Sequence, residues 1–119
     1  MAAQPLQHLA DRQEIDMGFQ RRDGAWRSTP VWIVQVGDEL FVRSMNGPTG
    51  GWYRRLRAVP DGEVRDGGHV HPVRADPVSD EDTLQAVTHA YERKYADSPY
   101  LQPFKQPGAI GATLRLRSR

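Results

Sequence analysis

The hydrophobic positions of this chain change period several times, and each change marks an element. Over residues 14–19, Ile15, Met17 and Phe19 alternate with other residues, the two-residue period of a strand with one buried face. Arg21-Arg22-Asp23-Gly24 reads as a turn. Residues 32–36 are nearly all apolar through Trp32, Ile33 and Val34, as in a strand covered on both faces. Gly37-Asp38 separates it from a second strand over 39–44, a two-residue hairpin signal with glycine first. A glycine-rich loop fills 45–51. Residues 52–59 then make about two helical turns before Pro60 stops them. Residues 63–66 and 69–78 form another hairpin around Gly67-Gly68.

From Ser79, read as an N-cap ahead of Asp80, Glu81 and Asp82, the period widens. Leu84, Val87, Thr88, Tyr91 and Tyr95 mark one face of a helix that Ser98-Pro99 breaks. Alternation returns over 109–117, with Ala112, Leu114 and Leu116 on one side. Near the N-terminus, residues 6–13 predict a short helix with Leu6, Leu9 and Ala10 on one face, within a helical segment that extends at most over 1–13. The total is six strands and two or three helices. Short turns between successive strands make them antiparallel, and a closed or half-closed barrel removes the unpaired edges. The long helix plugs or flanks it.

Composition narrows the function classes. The 119 residues suit one domain over 1–119 with a modest core. The absence of Cys excludes disulfides and thiolate chemistry. No apolar run approaches the ~20 residues of a membrane helix, and residues 1–16 lack the pattern of a signal peptide, so a cytoplasmic address and no membrane partner are expected. A net charge of +1 counts against nucleic-acid binding. The basic residues are nearly all Arg, with only Lys94 and Lys105 as exceptions. Arg grips phosphate or carboxylate at two points; codon bias explains the same excess equally well.

The stretch 26–60 carries the candidate chemistry. Gly47, Gly50 and Gly51 let backbone approach a ligand, and a helix start attracts anions. Arg43 and Ser44 end the preceding strand, and Arg54, Arg55 and Arg57 lie on the helix. The competing reading is a solvated loop followed by a basic surface helix. Trp32, mid-strand, belongs to the core; Trp52, at the loop–helix junction, suits core and ligand platform equally. His69 and His71 share a strand face, but no spacing supplies a third ligand, so no metal site is expected. No Ser sits in a G-x-S-x-G context, so no hydrolytic triad is expected.

Several segments carry a family likeness. Arg21-Arg22-Asp23-Gly24 is similar to a G-R-K-S-G turn, and Arg27 with Pro30 to an R-x-x-P strand start. Ser44-Met45-Asn46-Gly47 resembles an S-x-G-G loop, and residues 52–60, W-Y-R-R-L-R-A-V-P, resemble W-Y-x-N-L-x-A-N-P. On these motifs the chain resembles the FMN- or deazaflavin-binding split-barrel superfamily, in its deazaflavin-dependent nitroreductase-like branch. It is most similar to a small bacterial family of unknown function near that branch. The resemblance implies a six-stranded antiparallel split β-barrel, mainly β with flanking helices, and a homodimer holding FMN or a deazaflavin coenzyme in a groove. Carried over position by position, Arg22, Thr29, Pro30, Arg43, Ser44, Trp52, Tyr53 and Arg54 are the expected cofactor contacts. Tyr53 and Tyr100 are candidate proton donors or substrate contacts. The loop lysine and the motif Asn are absent here, replaced by Met45-Asn46 and Arg55. The implied function is a flavin- or deazaflavin-dependent oxidoreductase of unknown substrate. The alternative is a non-catalytic barrel that binds a small anion or a protein partner.

Overall fold

The computed structural model describes residues 6–119. The strands are β1 (Ile15–Gln20), β2 (Trp26–Val31), β3 (Ile33–Val36), β4 (Glu39–Arg43), β5 (Asp61–Asp66), β6 (His69–Pro77) and β7 (Thr113–Ser118). The α-helices are α1 (Gly51–Ala58), α2 (Glu81–Lys94) and α3 (Pro107–Ile110). All strand pairs are antiparallel, and the spatial order is β2-β1-β5-β6-β7-β4-β3.

That order forces the sheet to curl. The strands at its two ends, β2 and β3, are separated in sequence by Trp32 alone. A flat sheet of seven strands spaced ~4.8 Å apart is roughly 30 Å wide, far more than one residue can span. The sheet therefore rolls into a half-barrel whose two edges meet at Trp32. Among the described residues the strands number seven rather than six. Residues 26–31 form a strand of their own, paired in full register with β1 from Gln20↔Trp26 to Ile15↔Val31. Their exposed, polar sequence hid them from a reading based on apolar alternation, because β2 is an edge strand with little of its surface in the core. Trp32 is correspondingly not mid-strand but the corner between two strands.

The corner leaves backbone groups outside the ladders, and α2 satisfies them. Tyr91 Oη donates to the Trp32 carbonyl at 3.1 Å, and Tyr95 Oη accepts from the Ile33 amide at 3.3 Å. Lys94 Nζ donates to the Ile33, Arg12 and Ala10 carbonyls at 2.6, 2.7 and 2.9 Å. A half-buried ammonium with three acceptors meets the requirement that buried polar groups be paired.

Two apolar clusters follow from the two faces of β3 and β4. Ile33, Leu40 and Val42 point inward to meet Met17, Val64, Val73 and Leu114 inside the barrel. Val34 and Phe41 point outward to meet Leu84, Val87 and Tyr91 of α2, Tyr95 at its C-cap, and Phe104. The long helix thus flanks the barrel, and the unbroken apolar run 32–34 has both faces covered. Gly37, at φ 62°, makes the expected two-residue turn between Val36 and Glu39.

Three boundaries differ from expectation. The N-cap of α2 is Asp80, whose carboxylate accepts from the Thr83 amide at 3.0 Å; Ser79 makes no cap. The last strand starts at Thr113, because Pro107 opens a short helix, α3, in which Ala109 and Ile110 lie. The N-terminal helix is a 3-10 turn over Gln7–Asp11; the part of that segment before residue 6 lies outside the described residues. This turn bridges two hairpins at one end of the barrel. Gln7 Nε2 donates to the Asp38 carbonyl at 3.1 Å, and Arg12 pairs with Asp66. α1 follows the far end of β4 and adds Tyr53 and Leu56 to the inner cluster.

Candidate functional site

A cleft of about 340 Å³ opens at the corner of the barrel. Thr29 and Pro30 come from the edge strand β2, where a proline costs no ladder bond. Trp32 comes from the corner itself, Met45 and Asn46 from the loop after β4, Trp52 from the first turn of α1, and Tyr100 from the segment after α2. Trp32 is held flat against Tyr95, with ring centroids 3.8 Å apart and planes 3° apart, and against Phe104 at 4.7 Å and 8°. Tyr100 stands 67% exposed at the mouth. Trp52 packs edge-on to Tyr53 at 6.4 Å. Both faces of Trp32 are thus taken by the protein and only its edge borders the cleft, while Trp52 and Tyr100 offer ring surface that suits a flat ligand.

Arg43 lies in the floor and is 1% exposed. Its Nε donates to Thr113 Oγ1 at 2.8 Å, one terminal nitrogen to Thr88 Oγ1 and the Phe104 carbonyl at 2.8 and 3.1 Å, and the other to the Leu84 carbonyl at 3.1 Å. The guanidinium also sits 5.5 Å from the centre of the Tyr91 ring. No carboxylate pairs with it among the described residues. Burial holds its pKa below the ordinary arginine value and raises that of Tyr91, while burial pushes Tyr95 up to about 12. Arg43 is a clamp that ties β4 to β7, α2 and the segment at Phe104. Most of the donors of this expected cofactor contact are therefore already used within the protein.

The glycines of the loop are also spoken for. Gly47 has φ 69°, and a Cβ there would lie 3.2 Å from the Gly108 backbone of α3. A Cβ on Gly50 would collide with Ser44 Oγ. Two of the three glycines read as making room for a ligand therefore make room for the protein itself. Gly51 alone faces open space. Ser44 is 1% exposed and its hydroxyl has no hydrogen-bond partner among the described residues.

The remaining expected contacts divide in two. Thr29, Pro30 and Trp52 line the cleft with Arg43. Arg22 and Arg54 line a second depression of about 320 Å³ with Gly51 and Arg55, on the other side of the first turn of α1. Arg55 is anchored there by donating Nε to the Gln20 carbonyl at 2.8 Å. Tyr53 is buried in the inner cluster and supports Trp52 from behind. Trp32, Asn46 and Phe104 join the cleft without having been singled out as ligand contacts; only the resolved corner at Trp32 brings them together.

Residues 5–116 match the profile of a bacterial family described as an uncharacterized protein conserved in bacteria, DUF2255. The chain belongs to that family. Among solved structures, this DUF2255 chain is similar to the conserved hypothetical protein Rv2991 from Mycobacterium tuberculosis, with TM-score 0.64 and 16% identity over 93% of this chain and 76% of that one. It is similar to an F420-H2 dependent reductase, FDR-A, with TM-score 0.61 and 19% identity over 89% and 95% of the two chains. A protein described as a domain-swapped dimer gives TM-score 0.61 and 20% identity over 90% and 81%. At these identities the likeness is one of fold, the split barrel. No curated protein sequence matches the chain. No helix among the described residues is long and apolar enough to cross a membrane.

Proposed function

We propose that the corner cleft binds a flat, anionic redox cofactor of the FMN or deazaflavin class, and that the DUF2255 protein is an oxidoreductase acting on a small substrate. One observation carries this reading: Trp52, Tyr100 and the edge of Trp32 line one cleft with a buried guanidinium, Arg43, that has no carboxylate partner among the described residues. A buried cation held by dipoles rather than by an ion pair leaves positive potential in the floor, partly offset by exposed Glu14 at the same cleft, and the rings of Trp52 and Tyr100 favour a planar ligand. The donor set fits such a group, with Thr29 and Asn46 as polar rim and Arg22 and Arg54 as exposed cations beyond the first turn of α1. Bound there, the cofactor supplies hydride transfer. The chain's own residues bind it, orient it and exclude water. The name of the similar F420-H2 dependent reductase supports this reading, and that of the domain-swapped dimer supports a homodimeric assembly. Cytoplasmic location and absence of nucleic-acid partners belong to the same proposal.

A second reading is favoured by the internal use of Arg43, Gly47 and Gly50. In it the barrel keeps its shape without a redox group and binds a small anion or a protein partner, since fold does not fix chemistry. Titration of the purified protein with FMN and with a deazaflavin coenzyme, followed by absorbance and tryptophan fluorescence, separates the two. Saturable binding of either cofactor, weakened in Trp52→Ala, supports the oxidoreductase. Failure of both to bind at high micromolar concentration leaves the non-catalytic barrel.

A further inference from the structure

The β5–β6 hairpin presents Asp66 and His69 opposite each other, and Val64 opposite His71. Val64 is fully buried in the barrel. His71 and Asp66 therefore continue the inward face to the end of the barrel, where it emerges half-buried beneath the 3-10 turn. That turn carries His8. The ligand atoms of His8, Asp66 and His71 all lie within 4.8 Å of one another, with His8 Nε2 3.9 Å from Asp66 Oδ2. The His8 and His71 rings meet edge-on at 5.3 Å, and His69 stands 6.4 Å from His71 on the same strand face.

We propose that His8, Asp66 and His71 bind a divalent first-row transition cation, with zinc as the leading candidate, and that the ion latches the N-terminal 3-10 turn to the end of the barrel. Two imidazoles and a carboxylate are ligands suited to such ions. Donors ~2.0–2.1 Å from one tetrahedral zinc lie roughly 3.3–3.4 Å apart, so the cluster needs to close by up to about 1.5 Å. His8 is exposed and free to swing inward. Arg12 grips Asp66 at two points, Nε to Oδ1 and a terminal nitrogen to Oδ2, both at 3.1 Å. Each carboxylate oxygen keeps a further lone pair, and a hydrogen bond that orients a ligating carboxylate is a usual companion of such sites. His69 or a water would complete four-coordination. The role is structural: Leu6 and Leu9, flanking His8, are buried in the inner cluster, so an ion at His8 stabilises the closure of the barrel.

The test uses full-length protein freed of any purification tag and stripped with a chelator. Calorimetric titration with zinc, melting curves with and without it, and the visible spectrum of the cobalt form are measured. One zinc per chain, a raised melting temperature and tetrahedral cobalt bands are expected. His8→Ala and His71→Ala should each weaken zinc binding about 100-fold. His89→Ala, an exposed histidine on α2 paired with Glu92, should bind as wild type. Melting in the absence of zinc checks that each variant is folded. Absence of stoichiometric binding in the wild type overturns the proposal. So does zinc affinity in both His8→Ala and His71→Ala equal to that of the wild type.

Discussion

Arg43 Nε donates to Thr113 Oγ1 at 2.8 Å, across the β4–β7 pair in which the two residues face each other. Thr113 Oγ1 in turn donates to the Ile110 carbonyl at 2.8 Å, so the bond relays from β4 through β7 into α3. Removing the guanidinium strips partners from two hydroxyls and two carbonyls at once and leaves a void. Arg43→Ala should cost about 3 kcal/mol or more, read from urea unfolding. Arg43→Lys should recover only part of it, since one ammonium lacks the planar fork. Wild-type stability in Arg43→Ala would show that the clamp is dispensable.

The tryptophans should separate stability from binding. Trp32 is stacked on two rings and fixes the corner; Trp32→Ala should cost about 2–4 kcal/mol. Trp52 is half-buried on α1 and lines the cleft; Trp52→Ala should cost about 1 kcal/mol while weakening cofactor binding about tenfold or more. Melting curves beside binding isotherms check both. Equal loss of stability in the two variants would show that Trp52 is core rather than platform.

Much of the barrel was legible because its signals are local. Gly37-Asp38 and Gly67-Gly68 set hairpins whose registers agree with a two-residue turn, and Ile15, Met17, Leu114 and Leu116 point inward as their alternation requires. The edge strand β2 was legible only through the R-x-x-P likeness at Arg27 and Pro30 and not as a strand of its own, since Trp26–Val31 has almost no apolar rhythm and is defined by its pairing with β1. At the site, the pairing of Thr29, Pro30 and Trp52 in one cleft was visible through the family motifs. The fate of Arg43 was not: a strand-end arginine looks the same whether it faces a phosphate or the Thr113 hydroxyl, and only tertiary packing decides. The cluster of His8 with Asp66 and His71 joins positions far apart in sequence, which spacing rules do not reach.

Acid should unfold the protein through specific carboxylates. The hydrogen bonds from Arg12 to Asp66, from Thr83 to Asp80 and from Lys105 to Glu92 hold all three pKa values below their ordinary range. A carboxyl whose folded-state pKa is depressed stabilises the fold above its unfolded pKa, and that contribution disappears as pH falls through the folded value. Melting temperature should therefore be flat in this respect above about pH 5 and fall below about pH 4. Asp66→Asn should flatten part of that fall. A variant whose acid profile overlays the wild type would remove Asp66 from the account.

The Ser44 hydroxyl and the Gly50 backbone make the last prediction. Gly50 has φ −59° and ψ 133°, which alanine adopts without strain. Its cost on substitution comes only from the collision of the new Cβ with Ser44 Oγ, and Gly50→Ala should lose about 1–2 kcal/mol. Ser44→Ala removes an unpartnered buried hydroxyl and should leave stability unchanged or raise it slightly. The double variant should then be more stable than Gly50→Ala alone, a coupling that a double-mutant cycle of unfolding free energies measures directly. Binding gives the second readout. If the orphan hydroxyl serves a ligand, Ser44→Ala should weaken cofactor affinity about tenfold while its melting temperature holds. If affinity and stability both stay at wild-type values, the hydroxyl serves neither, and Ser44 is to be struck from the expected contacts.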